Sequence, residues 1–336
     1  MSEPNLQILL AARPQGLPKA SDFETVERPV RPPEEGEVRV RNVYLSLDPA
    51  MRGWMDDRRS YVPPVRLGEV MRGLTAGVVE ASRHPGFSAG DRVTGVLGWQ
   101  RYATVKGGDL RKLPPQVPLR LAMGPLGMTG MTAYFGLLDV GRPEEGETVL
   151  VSGGGGAVGS VVGQIAKVKG CRAVGIAGSE EKCRWMTEDL GFDAAIDYKA
   201  AADLGEEIRN ACPDGVDVYF DNVGGEILDA ALARINRGAR VVICGAISQY
   251  NATEGVRGPG NYLALLVQRA RMEGFIVFDY AERYGEAQEA IGRWIREGRI
   301  RSREDVVDGL ENAPAALLRL FDGRNVGKLL VRIAEE

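Results

Sequence analysis

The run from Val149 to Gly170, VLVSGGGGAVGSVVGQIAKVKG, constrains the fold more than any other part of the chain. An apolar stretch typical of a buried strand leads into four consecutive glycines, and a helix pattern of small and apolar residues follows at once. Gly154, Gly156 and Gly159 have the spacing G-x-G-x-x-G, in which the glycines permit a tight turn, the approach of a pyrophosphate and close helix–strand packing. Between a strand and a helix, this spacing predicts a dinucleotide site at the start of the helix.

Length and charge exclude several classes of function. The chain has 336 residues, enough for two domains, and a formal net charge of −4, which provides no basic surface for nucleic acid or anionic lipid. No apolar run reaches the length of a membrane span, and the N-terminal residues MSEPNLQILLAARP lack the features of a signal peptide. We therefore expect neither a nucleic-acid partner nor a membrane partner.

The cysteines and the single histidine argue against a metal site. The four cysteines have no metal-ligand spacing, and we expect reduced thiols in a cytoplasmic protein. The one histidine, His84, lies in a turn-like stretch, whereas a catalytic zinc usually takes several His and Cys ligands. The sequence therefore predicts no metal.

The order of strand and helix patterns predicts two domains of different class. Up to about residue 125, short β-like runs alternate with Gly/Pro turns, which indicates a largely antiparallel β domain. From 128 to 300, strand and helix patterns alternate, which indicates a doubly wound parallel sheet, and 301–336 returns to strand, helix and strand. The predicted fold is α/β, with the parallel-sheet domain of 128–300 inserted into a β domain formed by 1–127 and 301–336.

Three local assignments belong to this prediction. Periodicity predicts a helix over Ile227–Asn236 and a long amphipathic helix over Ala281–Gly298. The apolar segment GFIVFDY (274–280) is predicted to be a late strand at the edge of the parallel sheet. Because such edges often pair with another chain, this segment favours a homodimer.

The strand after the glycine run ends without the usual acidic residue. Dinucleotide sites for NAD carry a carboxylate about 20 residues after the glycines, where it binds the ribose 2′-hydroxyl. Here Gly178 and Ser179 occupy that position, and Lys182 follows. A missing carboxylate beside a cation favours a 2′-phosphate and therefore NADP. Glu180 and Glu181 weaken this argument because either could reach a ribose, and Lys182 alone is also explained as a solvated helix residue.

Two more strand ends point to the same side of the sheet. Ligands of parallel sheets bind beyond the carboxyl ends of the strands, and both Asn222 and the loop Gly245–Tyr250 follow predicted strands. This position would bring them to the nicotinamide and its ribose. A turn asparagine and a packed loop tyrosine explain the same residues equally well.

Several stretches together resemble the zinc-independent medium-chain dehydrogenase/reductase superfamily, and within it the NADPH-dependent double-bond reductases (prostaglandin, alkenal and curcumin-reductase-like enzymes). The resemblance runs almost end to end and includes VYLSLDPAMRG, LGMTGMTAYFGL, YFDNVGGE, GAISQYN and GRNVGKLL. It implies a Rossmann domain inserted into a GroES-like domain, and NADPH-dependent reduction of the C=C bond of α,β-unsaturated ketones and aldehydes. A quinone reductase, or a catalytically silent NADPH sensor, remains an alternative. Relatives of this kind are commonly homodimers.

Carried over residue by residue, the resemblance implies contacts with every part of NADPH. The glycine run would hold the pyrophosphate, Lys182 and Tyr198 the 2′-phosphate, and three later segments the nicotinamide half. The predicted cofactor-binding residues are Gly154, Gly156, Ala157, Val158, Gly159, Gly178, Ser179, Lys182, Tyr198, Asn222, Cys244, Gly245, Ala246, Ile247, Ser248, Tyr250, Phe275, Ile276, Val277 and Asn325.

The resemblance also implies a catalytic residue and a substrate pocket. Without a metal, the enolate oxygen needs a hydrogen-bond donor, and Tyr250 is the predicted catalytic residue. Ala50, Tyr102 and Met128 are predicted to line the substrate pocket. Ala50 and Trp54 depart from the family's D-P-Y-M-R-G-R-M, so the substrate preference of relatives cannot be carried over.

Overall fold

The computed structural model describes residues 4–336, which divide into two compact units. The first unit is the chain up to Met123 together with Glu304–Asn325 and Leu329–Glu336. The second unit is Gly124–Arg303 together with Val326–Lys328. Within residues 4–336, no helix has the length and apolar character needed to cross a membrane.

The first unit is built mainly from antiparallel strands. With strands and helices numbered along the whole chain, its elements are β1 (Asn5–Leu10), β2 (Phe23–Arg28), β3 (Glu37–Ser46), β4 (Thr75–Ser82), β5 (Arg92–Gly95), β6 (Tyr102–Lys106), β7 (Leu110–Lys112), β14 (Glu304–Asp308), β15 (Lys328–Arg332), α1 (Met51–Trp54), α2 (Leu119–Met123) and α10 (Ala313–Asp322). β1 pairs with β2, and the main sheet has the order β14-β15-β3-β4-β5-β7, with β6 paired to β3. The pairs formed by β3 with β15, β4 and β6 are all antiparallel.

The alternation of side chains along β3 explains why this sheet forms. Val38 and Val40 are fully buried, whereas the intervening Arg39 and Arg41 are partly exposed. A strand turns successive side chains to opposite faces, so the first half of β3 buries one face of the sheet and exposes the other, whereas residues 42–46 are buried on both faces.

The second unit is a parallel sheet between helices. Its strands are β8 (Thr148–Ser152), β9 (Arg172–Ala177), β10 (Ala194–Asp197), β11 (Val216–Asp221), β12 (Ile235–Ile243) and β13 (Arg271–Gly274). Its helices are α3 (Met128–Phe135), α4 (Gly159–Val168), α5 (Glu180–Arg184), α6 (Leu204–Ala211), α7 (Gly225–Leu232), α8 (Leu263–Gln268) and α9 (Tyr284–Arg296). The strand order is β10-β9-β8-β11-β12-β13 and every pair is parallel, which is the order of a doubly wound Rossmann sheet.

Both faces of this sheet are covered, as the continuous apolar sequence of β8 requires. Val149 and Val151 pack into a core on one face, while Leu150 between them packs into a separate core on the other face. The parallel sheet and the separate antiparallel sheet confirm the predicted α/β fold class.

Two predictions of local structure are wrong. The helix predicted over Ile227–Asn236 ends at Leu232, and Ile235 begins β12 instead. Ile235 pairs with Val216 of β11 and is buried in the core, so an apolar residue that suits a helical face serves here as a strand residue.

The strand predicted over 274–280 lies earlier in the chain, because β13 ends at Gly274. Phe275 leaves the sheet and its ring packs against Phe220 and Tyr280, with centroids 6.4 Å apart in each case. A 3-10 helix covers Val277–Arg283, and α9 is correspondingly shorter than the predicted helix. The apolar run thus contributes to the core rather than to the sheet.

Candidate functional site

The predicted cofactor residues of the second unit all follow strands at one edge of its sheet. The glycine run follows β8, Gly178 and Ser179 follow β9, and Tyr198 follows β10. The segments that begin at Asn222, Cys244 and Phe275 follow β11, β12 and β13. Because parallel strands end at the same edge, the fold collects residues that are far apart in sequence.

The glycine run makes the turn from β8 into α4 at the point where the strand order reverses. β9 and β11 flank β8, which makes this the switch point of the sheet. Gly153 has a φ of +62°, a conformation that L side chains rarely adopt. A Cβ on Gly159 would lie 2.3 Å from the carbonyl oxygen of Gly153, so the first residue of α4 must be glycine. The turn therefore presents bare backbone at the N-terminus of a ten-residue helix.

The segment after α10 lies against this turn. The amide of Gly327 donates to the carbonyl oxygen of Gly155 at 2.9 Å, and Gly156 and Gly327 form a parallel β-bridge. Asn325, which precedes this bridge, is buried and belongs to the first unit. Ala157 and Val158 complete the turn before α4 and are partly exposed.

Lys182 lies directly over the glycine run. Its side chain is largely buried, with 8% of the residue exposed, and a Cβ on Gly155 would lie 2.9 Å from its Cβ and 3.0 Å from its Cγ and Cδ. Ser179 caps α5, and its hydroxyl accepts from the amide of Lys182 at 3.4 Å. The solvated-residue interpretation of Lys182 is therefore wrong, because the stem of the side chain packs on the turn.

Gly178, Tyr198 and Lys199 form a second cluster beside this one. A Cβ on Gly178 would lie 2.8 Å from Cε1 of Tyr198 and 3.0 Å from Cε of Lys199, while Tyr198 itself is 40% exposed. Lys199 is not among the residues predicted from the sequence. Its position directly after Tyr198 was the available signal.

Glu180 and Glu181, the acidic residues that could reach a ribose and so weaken the argument for NADP, have other interactions in the structure. The carboxylate of Glu181 pairs with the guanidinium of Arg303 at 2.9 Å, on the surface of the second unit. The charge of Glu180 contributes, after burial and Asp197, to raising the pKa of Cys183 to about 11.

On the other side of the turn, Asn222 is tied to the end of β8. Its amide donates to Oγ of Ser152 at 2.8 Å, and its Nδ2 donates to the carbonyl oxygen of Ser152 at 2.7 Å. Its carbonyl oxygen accepts from the amide of Ile247 at 3.2 Å. Asn222 therefore connects three adjacent strand ends.

The loop 244–250 folds back on itself and on the end of β11. Ser248 donates from its hydroxyl to the carbonyl oxygen of Val223 at 2.6 Å. The hydroxyl of Tyr250 accepts from the amide of Ala246 at 3.2 Å and lies 2.9 Å from where a Cβ on Gly245 would be. A phenol carries one O–H donor besides its acceptor lone pairs, so accepting from Ala246 is compatible with the donor role predicted for Tyr250.

Cys244, at the start of this loop, has a thiol whose pKa is raised. Burial, with a smaller contribution from the charge of Asp221, raises the pKa of its thiol to about 12. The thiol is therefore neutral at physiological pH, whereas the thiolate is the reactive form of cysteine.

The predicted pocket residues divide between the units. Ala50 precedes α1 and Tyr102 begins β6 in the first unit, whereas Met128 begins α3 in the second. The hydroxyl of Tyr284 lies 3.6 Å from the sulfur of Met128 and donates to the carbonyl oxygen of Val277 at 3.0 Å. Met128 and the Phe275–Val277 segment are thus joined through one tyrosine.

Trp54, one of the departures from the family pattern, has its own partners in the first unit. Its indole Nε1 donates to the hydroxyl of Tyr61 at 3.3 Å, and the guanidinium of Arg72 lies 5.7 Å from its ring centroid. Among residues 4–336, no group of three or more His, Cys, Asp or Glu side chains could hold a metal ion.

The chain is similar to known proteins along nearly its whole length. Residues 6–113 match the family described as the N-terminal domain of oxidoreductase, and residues 157–293 match the family described as zinc-binding dehydrogenase. The NADPH-dependent curcumin reductase of Escherichia coli is 48% identical, with 98% of this chain and 97% of the relative covered. The NADP(+)-dependent 2-alkenal reductase of Nicotiana tabacum is 43% identical, with 99% and 98% covered.

A solved structure is similarly close. The crystal structure of CurA from Vibrio vulnificus in complex with NADPH superposes with a TM-score of 0.94 at 47% identity, and it covers 98% of this chain and 100% of that one.

Proposed function

This chain belongs to the zinc-independent medium-chain dehydrogenase/reductase superfamily, in the group of NADPH-dependent double-bond reductases, and we propose that it reduces the C=C bond of α,β-unsaturated ketones and aldehydes. The observation that carries this proposal is 48% identity, over nearly the whole length of both chains, to a curcumin reductase. The reaction converts the C=C bond into a CH–CH group, and NADPH is the cofactor.

The residues at the carboxyl edge of the parallel sheet fit NADPH. The backbone amides of Gly156–Gly159 would hold the pyrophosphate at the start of α4. Lys182 and Tyr198 would hold the 2′-phosphate, since both lie near the end of β9, where Gly178 stands in place of the usual carboxylate. Asn222 and the loop 244–250 would contact the nicotinamide ribose, and Phe275–Val277 and Asn325 would cover the cofactor.

Bound NADPH supplies the hydride that adds to the β-carbon of the substrate, and the α-carbon later takes a proton. The chain must then stabilise the negative charge on the enolate oxygen. Tyr250 would do this by donating its O–H proton to that oxygen, while the amide of Ala246 donates to the phenol oxygen and strengthens it as a donor. Removing one such donor typically slows a reaction on the order of 100-fold.

We assign substrate recognition to residues 1–127 and 301–336, which contain Ala50 and Tyr102, and NADPH binding to residues 128–300, which contain Met128. The compact units support this division, since the second runs from Gly124 to Arg303. Alanine in place of the family's tyrosine at position 50 removes a phenol donor and creates space, so bulkier enones are expected to be accepted.

We also propose a homodimer in the cytoplasm. β13 is at the edge of the parallel sheet, and the neighbouring α8 exposes Leu263, Leu266 and Val267. Unpaired edges and exposed apolar side chains favour association with a second copy. Light scattering on a sizing column tests the dimer, and a monomer at micromolar concentration would refute it. The four free cysteines suit a reducing compartment.

The reaction is tested by measuring NADPH oxidation with a small alkenal, an aromatic enone of larger size and a quinone in parallel. Products must be two hydrogens heavier than the enone with the carbonyl intact, and NADPH labelled with deuterium at C4 must place deuterium on the β-carbon. Turnover of the quinone alone would indicate a quinone reductase. NADPH binding without turnover of any enone or quinone would indicate a sensor.

A further inference from the structure

Asp221 is a buried carboxylate that the proposed reaction does not use. It ends β11, only 1% of it is exposed, and a single oxygen, Oδ1, accepts four hydrogen bonds. The four donors are Oγ of Ser152 (2.9 Å), the hydroxyl of Tyr219 (2.8 Å), and the amides of Val223 (3.0 Å) and Gly224 (2.9 Å).

Burying a carboxylate is costly, so the network needs a reason beyond stability. Tyr219 and Ser152 are themselves fully buried, and their hydroxyls point at the same oxygen. Burial and the charge of Asp221 raise the pKa of Tyr219 well above its ordinary value, so its hydroxyl remains a donor. Apolar side chains at these three positions would fill the same space but would leave the amides of Asn222, Val223 and Gly224 without these acceptors.

The side chain of Asp221 sets the position of Asn222 through Ser152. The Ser152 hydroxyl donates to Asp221 and accepts from the amide of Asn222 at 2.8 Å, so one hydroxyl links the two residues by hydrogen bonds. Because Ser152 immediately precedes the glycine run, the same contact joins the turn after β8 to the turn after β11.

The backbone of residues 221–223 also accepts hydrogen bonds from the loop 244–250 and so holds it in place. The carbonyl oxygen of Asp221 accepts from the amides of Cys244 (2.9 Å) and Gly245 (3.1 Å). The carbonyl oxygen of Val223, whose amide is held by the Asp221 carboxylate, accepts from both the amide and the hydroxyl of Ser248. Movement of residues 222–224 would therefore move the loop that carries Tyr250.

We propose that Asp221 is a positioning residue for the nicotinamide half of NADPH, acting through Ser152 and the backbone of residues 222–224 on Asn222 and the loop 244–250. This proposal rests on the NADPH site proposed above. None of the hydrogen bonds described above involves Lys182 or Tyr198, which follow other strands. The two halves of the cofactor should therefore respond differently when Asp221 is changed.

Asp221→Asn tests the proposal when the affinities for NADPH and for adenosine 2′,5′-bisphosphate, which lacks the nicotinamide half, are measured side by side. Asparagine keeps one oxygen for the four donors but removes the negative charge, so each of the four hydrogen bonds weakens and residues 222–224 are held less firmly. We expect the dissociation constant of NADPH to rise about tenfold or more, because hydrogen bonds to charged groups are strong. The affinity for the bisphosphate should stay within about twofold.

Asp217→Asn is the matched control. Asp217 lies at the opposite end of the same strand, where its carboxylate accepts from the amide of Thr148 at 2.9 Å and from Nδ2 of Asn236 at 2.8 Å. The same substitution there should lower the melting temperature yet leave both affinities unchanged. If Asp221→Asn does not fold, Ser152→Ala serves the same comparison, and Ser152→Thr, which restores a hydroxyl, should recover NADPH affinity.

Loss of both affinities in proportion, or of neither, in Asp221→Asn would overturn the positioning role. An unmodified protein that binds NADPH but reduces no enone would refute the proposed reaction and leave the positioning role standing, because that role is measured by binding alone. Failure of the unmodified protein to bind NADPH would refute both.

Discussion

Replacing Gly155 by alanine should change the choice between NADPH and NADH without replacing any residue that is proposed to bind the 2′-phosphate. Gly155 has an ordinary φ, so the backbone accepts alanine. The new Cβ would lie 2.9 Å from Cβ of Lys182, whereas ordinary contacts begin at 3.4 Å, so the stem of Lys182 must shift by about 0.5 Å. Lys182 is largely buried and has little room for that shift.

The size of the effect follows from the hydrogen bond that Lys182 is proposed to make. An ammonium–phosphate contact is about 2.7–2.9 Å long and contributes about 1.5–3 kcal/mol, so a shift of this size forfeits a part of it. A loss of about 0.7–1.4 kcal/mol corresponds to a roughly threefold to tenfold weaker affinity for NADPH. NADH has no 2′-phosphate, so its affinity should change by less than about twofold.

The assay is a fluorescence titration of Gly155→Ala and of the unmodified protein with each cofactor. Gly285→Ala is the control, because no heavy atom lies within 4 Å of its new Cβ and its backbone is in an ordinary conformation. Equal losses of NADPH and NADH affinity would refute the reasoning, since they would show that alanine disturbs the pyrophosphate turn rather than Lys182.

Three further predictions concern the same unit. Lys182→Ala should weaken NADPH binding by about tenfold or more and leave NADH binding nearly unchanged in the same titration, and equal losses would contradict the 2′-phosphate assignment. Tyr250→Phe should lower kcat for enone reduction on the order of 100-fold with NADPH affinity retained, so an unaltered kcat would exclude the donor role. Burial raises the pKa of Glu147, but hydrogen bonds from Arg240 and from the amide of Glu144 outweigh it and hold the pKa below its ordinary 4.5. The ion pair therefore stabilises the fold above that pH and is lost as the pH falls through the lowered pKa. Arg240→Gln should cost about 1–2 kcal/mol in urea unfolding at pH 7 and progressively less below pH 4.5, and a pH-independent cost would contradict this.

Local sequence patterns were sufficient for much of the fold. The glycine spacing identifies the turn from β8 into α4 because the steric constraints that require glycine arise within a few residues. One example is Gly159, where a Cβ would clash with the carbonyl oxygen of Gly153. The alternation of strand and helix patterns likewise identifies the parallel sheet. Patterns failed where one apolar residue suits two structures, as Ile235 and Phe275 do, because only packing partners decide between them.

Local sequence patterns likewise predict the candidate site only in part. The sequence by itself determined that Lys182, Asn222 and Tyr250 follow strands, and hence that they gather at one edge of the sheet. Only the tertiary structure decided that Lys182 packs on Gly155 and that Ser152 hydrogen-bonds to Asp221. Those contacts depend on which strands are neighbours and in what register they pair. Strand order and register are set by the whole core, so no spacing along the chain encodes them.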